Sequence, residues 1–404
     1  MKKGRAMDFT LPPEIEDIRL RVRAFIEEHV LPLEADPENF SDYENIPEER
    51  LHPVREKAKK AGLWAPQSPK EFGGMELPVV AWAAVYEEAA RSIFGPLAIN
   101  CMAPDDGNMN LLAKAGTPAQ KEWFLRPLVE GKARSAFAMT EPHPGSGSDP
   151  GMMLTRAEKK GDRYIVRGRK WFITGADGAA NFILIARTSD EPRRGLTGFL
   201  YHKDQPGWRI ARRIPIMGPE EHGGHCEIEY DGLEIPAENV LLNEGDGLRV
   251  TQIRLGPARL THCMRWLGWA KRCMEIAQEY VGRREAFGSK LADRENVQVK
   301  LGEVAHQIEI GRLLTMHAAW RLDQGSRARK EISMAKIQVA DTLHQAADVA
   351  IQLNGARGYS KDIILEWIYR AARAARLVDG ASEVHKMVLA RFMREEGRDF
   401  WRWG

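Results

Sequence analysis

Apolar residues recur every three or four positions through the first third of the chain. They alternate with polar ones through much of the middle, then return to the three-and-four spacing to the end. In the first stretch Ile15, Ile18, Val22, Phe25 and Ile26 define one helical face, and Pro12 and Pro13 open it. Glu48 to Ala61 predicts a second helix, stopped by Gly62, and Val79 to Arg91 a third, ended before Gly95-Pro96. Residues 96–114 and 118–128 read as two more, and Phe72-Gly73-Gly74 reads as a glycine turn.

From Ser135 the period changes. Ala136 to Met139 is a short apolar run. Arg163 to Gly168 alternates in period two, Lys170 to Thr174 follows at once, and 181–188, 198–201, 208–212 and 227–230 continue the pattern. After Asp246 the runs lengthen. Helices are expected at Gly256 to Arg284, Asn296 to Gln324, Arg329 to Leu353, about Ile363 to Ala375, and Ser382 to Arg398. Long amphipathic segments with short connections predict an antiparallel bundle. The expected fold class is α+β, mostly α. It has an N-terminal helical domain at 1–134, a central β-barrel or sandwich domain at 135–245, and a C-terminal four-helix bundle at 246–404.

Composition narrows the function classes. A hydrophobic share of 43% and a charged share of 29% are ordinary for a globular protein. The net charge of +2 gives no footprint for nucleic acid. Arg370, Arg373 and Arg376 read as one solvated helix face. No run of about 18 apolar residues suggests a membrane span. Cys101, Cys226, Cys263 and Cys273 form no C-x-x-C pair, so they read as free thiols of a reducing compartment. No apolar segment follows Lys2, Lys3 and Arg5, so a cytoplasmic location is expected.

The chemistry concentrates in Arg134 to Pro150, where the apolar run meets Thr140-Glu141-Pro142 and a loop rich in Gly, Ser and Pro. Such a loop brings bare backbone N–H groups and hydroxyls up to a ligand; read alone it is equally a turn at a domain border. No G-x-G-x-x-G follows a strand, so a Rossmann dinucleotide site is not expected. His222, His225 and Cys226 have the spacing H-x-x-H-C, but no fourth ligand is in view and no metal is expected.

The Thr140-Glu141-Pro142 to Gly147-Ser148-Asp149 segment, with the helix–β–helix order, resembles the acyl-CoA dehydrogenase family. So do Phe72-Gly73-Gly74, Lys170 to Gly175, Pro236 to Val240, Arg283 to Gly288, Gln352 to Tyr359 and Asp379-Gly380. Asp379 in Leu377 to His385, with His222-Gly-Gly-His225 and Leu255-Gly-Pro-Ala-Arg259, is similar to the branch of family members ten and eleven. There an Asp replaces the usual Glu base.

The resemblance implies FAD and an acyl-CoA substrate. Phe137, Met139, Thr140, Ser148, Phe172 and Thr174 would hold the flavin, with Phe172 covering the ring and the Thr174 hydroxyl near N5. Arg284 and Phe287 would reach the dinucleotide of a neighbouring subunit, and Gln352, Asn354, Gly355, Ala381 and Glu383 would be further cofactor-binding residues. Ser148, Arg259 and Gly380 would contact the substrate. Asp379 would be the base, its pKa raised by an apolar pocket. Read alone, Asp379 or Ser382 reads better as the cap of the last helix. The implied reaction makes a trans-2-enoyl-CoA and passes electrons to an electron-transfer flavoprotein, in a homodimer or homotetramer. A same-fold oxidase acting on acyl-CoA or nitroalkanes, and a catalytically silent flavin- or CoA-binding protein, stay open as alternatives.

Overall fold

A computed structural model describes residues 9–192 and 194–402. The N-terminal part comprises α1 (Pro13–His29), α2 (Glu48–Lys60), α3 (Val79–Ala89), α4 (Gly95–Ala98) and α5 (Asp105–Ala115), then the short turns α6 (Pro118–Gln120) and α7 (Arg126–Val129). The face predicted for α1 is the one that packs inward: Ile15, Val22, Phe25 and Ile26 are buried. The segment 96–114 is two helices rather than one. Asn100 takes a left-handed φ of 58°, and Pro104 has no N–H with which to continue a ladder. The restart sets Asp105 and Asp106 in the first turn of α5.

The middle of the chain forms one eight-stranded sheet. Its strands are β1 (Ser135–Ala138), β2 (Arg156–Lys160), β3 (Arg163–Thr174), β4 (Asn181–Arg187), β5 (Leu196–His202), β6 (Trp208–Arg213), β7 (His225–Pro236) and β8 (Val240–Leu241). The order is β6-β7-β3-β2-β4-β5-β8, with β1 parallel beside β4. Strand β2 escapes a hydrophobic reading because only Ala157 of Arg-Ala-Glu-Lys-Lys is buried; antiparallel pairing with β3 forms it. The two runs expected at 163–168 and 170–174 are a single strand with irregular register at Val166/Arg167 and Lys170/Ile173. The second bulge gives Phe172 a φ of 50° and turns its ring outward.

The C-terminal part is α8 (Gly247–Arg283), a hairpin of β9 (Glu285–Ala286) and β10 (Ser289–Lys290), α9 (Glu295–Asp323), α10 (Arg329–Asn354), α11 (Ala356–Tyr359), α12 (Leu365–Ala374) and α13 (Ser382–Glu396). Helix α8 starts at Gly247, not at Gly256, and carries Pro257 inside it. Tertiary packing overrides the proline. Gly247 lies so close to β5 that a Cβ there would come within 2.5 Å of the Leu196 carbonyl carbon, and the following turns bury Val250, Thr251 and Arg254. Helix α8 touches α3, α5, β5, α9 and α10, so it joins the three parts. Among the described residues, no helix is long and apolar enough to cross a membrane.

Candidate active site

The turn from α12 to α13 carries Asp379 and Gly380 at φ of 51° and 98°. Asp is among the residues that tolerate this region, and Gly380 needs its missing side chain, since a Cβ would meet His385 Nε2 at 3.2 Å. Two cations hold the turn by its carbonyls. Arg259 Nε donates to the Asp379 carbonyl at 2.7 Å, and Lys336 Nζ donates to the carbonyls of Ala375 at 2.7 Å and Gly380 at 3.4 Å. Neither Asp379 nor Ser382 caps α13: Ala381 is the residue before its first turn, and no side chain bonds there.

The Asp379 carboxylate points at α8 instead. Arg254 Nη1 lies 3.5 Å and His262 Nε2 3.3 Å from Oδ2. The imidazole is misaligned for a full hydrogen bond, so Oδ2 is a buried acceptor without an aligned donor. Arg265 Nη2 approaches His262 Nδ1 at 3.3 Å, and a guanidinium only donates. Nδ1 is therefore the lone-pair nitrogen, and His262 is neutral with its proton on Nε2, facing Asp379. Burial also holds the His262 pKa below its ordinary value.

The carboxylate does not sit in the apolar pocket expected for it. Burial pushes the Asp379 pKa up, but the His262 N–H and the guanidinium charges of Arg254 and Arg259 outweigh it and hold the pKa well below the carboxylate range.

Helix α8 supplies most of this cluster. Arg254 Nε donates to Asn108 Oδ1 at 3.2 Å, and its guanidinium carbon lies 5.0 Å from the centre of the Phe137 ring. Behind His262, Arg265 Nη1 pairs with Asp106 Oδ2 at 2.6 Å, and the Thr261 hydroxyl donates to the same oxygen at 2.7 Å. Arg254, His262, Arg265 and Asp106 were not singled out from sequence. The available signal was polar side chains on the otherwise buried stripe of α8 that carries Ala258, Leu260, Met264 and Leu267.

The end of β1 and the bulge of β3 lie side by side. Lys170 Nζ donates to the Met139 carbonyl at 2.8 Å, and Trp171 N to the Thr140 carbonyl at 3.0 Å. Glu141 is buried beneath them and accepts from Lys170 Nζ at 2.9 Å, Leu154 N at 2.6 Å, Thr155 N at 2.8 Å and Ser146 N at 3.2 Å. Ser146 turns inward, donating to the Met139 carbonyl at 3.3 Å, while Ser148 is exposed. Phe172 is 44% exposed, a bare aromatic face beside an accessible strand end, which fits a flavin ring. Thr174 Oγ1 lies 3.0 Å from His225 Nδ1, and His225 Nε2 lies 2.8 Å from Glu221 Oε2.

His222, His225 and Cys226 do not converge. His222 Nε2 turns to the Ile46 carbonyl at 2.6 Å, and Cys226 Sγ donates to the Gly223 carbonyl.

The remaining residues lie apart. Arg284 is roughly 37 Å along α8 from Arg259 at the usual rise. It is exposed and makes no ion pair among the described residues. Phe287 is 97% exposed in the turn of the β9–β10 hairpin. Gln352 is exposed; Asn354 is buried, with Nδ2 donating to the Ala350 carbonyl, and Gly355 follows at φ of 62°. Ala381 is half-buried and Glu383 exposed, both just after the Asp379 turn.

Profiles of the acyl-CoA dehydrogenase N-terminal, middle and C-terminal domains match residues 12–132, 136–233 and 245–394. FadE2 of Mycobacterium tuberculosis, named a probable acyl-CoA dehydrogenase, is 38% identical over 396 residues, covering 95% of this chain and 96% of that protein. Acyl-CoA dehydrogenase family member 11 of Gallus gallus is 36% identical over 399 residues, covering 93% of this chain but 50% of that protein, so the chain spans half its length. The solved butyryl-CoA dehydrogenase of Megasphaera elsdenii superposes with a TM-score of 0.84 at 28% identity, covering 96% of this chain and 100% of that one.

Proposed function

The chain belongs to the acyl-CoA dehydrogenase family, and on that premise we propose that Asp379 is the base that removes the α-proton of an acyl-CoA thioester. The protein is an oxidoreductase acting on acyl-CoA with FAD as cofactor. The observation that carries the assignment is Asp379 Oδ2, buried yet without an aligned donor, at a turn pinned by Arg259 and Lys336.

FAD, when bound, supplies the acceptor for the β-hydrogen as hydride at N5. Phe137, Met139, Thr140, Ser148, Phe172 and Thr174 would hold its ring and pyrophosphate. Arg284 and Phe287 would reach the dinucleotide across a subunit boundary in a homodimer or homotetramer, and Gln352, Asn354, Gly355, Ala381 and Glu383 would add contacts to the cofactor. An exposed aromatic and an unpaired guanidinium at the far end of α8 support that reading.

Asp379 is ionised at all ordinary pH values because cations surround it. It is always ready but weak. Its basicity rises when a thioester covers Oδ2 and excludes water, while the Asp379 backbone N–H would polarise the thioester oxygen. Ser148, Arg259 and Gly380 would line the substrate path. The product would be a trans-2-enoyl-CoA, and the electrons would pass to an electron-transfer flavoprotein in the cytoplasm.

The test is anaerobic bleaching of the flavin by acyl-CoAs of differing length. Asp379→Asn is expected to keep its flavin and not to bleach, and full bleaching in that variant overturns the assignment. A low-held carboxylate also suits a more acidic carbon acid, as in a nitroalkane-oxidising enzyme of this fold. Hydrogen peroxide formed from a nitroalkane, with no bleaching by any acyl-CoA, would favour that second reading.

A further inference from the structure

Thr174, His225 and Glu221 form a continuous hydrogen-bonded line: hydroxyl to imidazole over 3.0 Å, imidazole to carboxylate over 2.8 Å. The line crosses from a strand end to solvent. The His225 side chain keeps 12% of its surface accessible, whereas Glu221 keeps 36%. Glu221, with His222 and Gly223, borders a cavity of about 580 Å³ between the sheet and the N-terminal helices. Arg55, Arg134 and Arg213 line the same cavity. A simple structural ion pair would not require a threonine hydroxyl on the far ring nitrogen or a carboxylate open to a cavity.

We propose that Thr174, His225 and Glu221 are a proton relay that carries the N5 proton of the reduced flavin to the cavity when the cofactor is reoxidised. The proposal rests on the reading that the Thr174 hydroxyl faces flavin N5. Reoxidation of a bound flavin would release two electrons to an external one-electron acceptor, taken up twice, and one proton for this chain to receive. Thr174 Oγ1 receives the proton and passes its own hydroxyl proton to His225 Nδ1. His225 Nε2 passes its proton to Glu221 Oε2, and Glu221 releases it to water. Glu221 and His225 would act through Thr174, so they are positioning and relay residues.

The charged groups around the imidazole set the sign of the pH dependence. Glu221 faces it from the loop before β7, Glu220 lies beside Glu221 and is paired with Arg213 of β6, and His262 of α8 faces Glu221. Burial lowers the His225 pKa, but the two glutamates outweigh it and raise it above the ordinary value. A cationic His225 has Nδ1 occupied and cannot accept. The relay therefore opens as the pH rises through that raised pKa.

The test uses the holoprotein reduced anaerobically with dithionite, so it is independent of the substrate, then mixed with ferrocenium while the return of flavin absorbance is followed. The wild-type rate is expected to rise with pH through the raised His225 pKa. His225→Gln is expected to flatten that profile and slow reoxidation by about 100-fold, the low end of general acid–base effects. Nuclear magnetic resonance of the His225 ring is expected to show a pKa above 6.5 in the wild type and a lower one in the isosteric Glu221→Gln. An unchanged rate and profile in both His225→Gln and Glu221→Gln overturn the relay. Thr174→Val separates the two readings. If it leaves flavin absorbance and reoxidation unchanged, the hydroxyl does not face the flavin, and both fall. If it alters the flavin spectrum while His225→Gln leaves the rate unchanged, only the relay falls.

Discussion

His262 faces Asp379 through Nε2, 3.3 Å from Oδ2, because Arg265 occupies its other ring nitrogen. The contact fixes a tautomer: Nε2 carries the proton and turns its N–H towards Oδ2, misaligned for a full hydrogen bond, and has no lone pair with which to take a proton. Asp106 holds Arg265 from behind with a 2.6 Å ion pair, so the order runs Asp106, Arg265, His262, Asp379.

This order predicts opposite outcomes for two substitutions at one position. His262→Gln retains an N–H where Nε2 stands and is expected to keep most of the rate of flavin reduction by acyl-CoA. His262→Leu removes the donor and is expected to slow that step by about 10- to 100-fold, the scale of a reacting group misplaced by about 1 Å. Stopped-flow reduction with a bound flavin in both variants is the measurement, and equal rates would show that the imidazole only fills space.

Arg254 is predicted to set the acid limb of the same step. Asp379 is held low by burial set against His262, Arg254 and Arg259, with the cations winning. A carboxylate with a depressed pKa is ionised above that pKa and loses activity only as the pH falls through it. In Arg254→Gln one charge is gone, so the pKa rises, and an acid limb that the wild type lacks at ordinary pH moves up towards the measurable range. A reduction rate as flat in acid as that of the wild type would mean that Arg254 acts only through Asn108 and Phe137.

The helical periods of α1 and α9, the alternation at the start of β3 and the Asp379-Gly380 turn were legible because each is a local pattern. Three features were not. The start of α8 was hidden because Pro257 reads as a helix opener, and only the close approach of Gly247 to β5 explains why the helix begins earlier. Strand β2 has almost no apolar side to read. The charge around Asp379 was misjudged because it comes from residues more than 100 positions away, which meet only when α8 packs beneath the α12–α13 turn. A sequence shows that Asp379 is available; it does not show that Arg254 and His262 stand over it.

His222 should make the protein acid-sensitive in a defined window. Burial, with Arg134 and Arg55 nearby, pushes its pKa down to about 4, and Nε2–H donates to the Ile46 carbonyl. In the unfolded chain a histidine titrates near 6.5. Between those values the unfolded state binds the extra proton, so stability is lost as the pH falls from 6.5 towards 4. The full effect is about 3 kcal/mol at 1.36 kcal/mol per pKa unit. His222→Gln keeps a donor and does not titrate. Urea unfolding at a series of pH values should show a shallower decline below pH 6.5 in this variant.

Glu141→Gln tests whether the loop after β1 is built from beneath. Glu141 and Lys170 have side chains 2% and 0% exposed, and the carboxylate also accepts from three backbone N–H groups. An amide offers one acceptor oxygen where the carboxylate offers two, and it leaves Lys170 as an uncompensated buried charge. Removing one partner of such a pair typically costs about 3–5 kcal/mol. Lys170 has a way to limit that cost. Burial, opposed by Glu141, already pushes its pKa down to about 8, and without the carboxylate the pKa falls further. The variant then folds with a neutral lysine, and its deficit should shrink as the pH rises. The same loop carries Met139 and Thr140, so flavin retention should fall with stability at neutral pH and recover partly at higher pH. A deficit independent of pH would locate the cost in the backbone hydrogen bonds rather than in the stranded Lys170 charge.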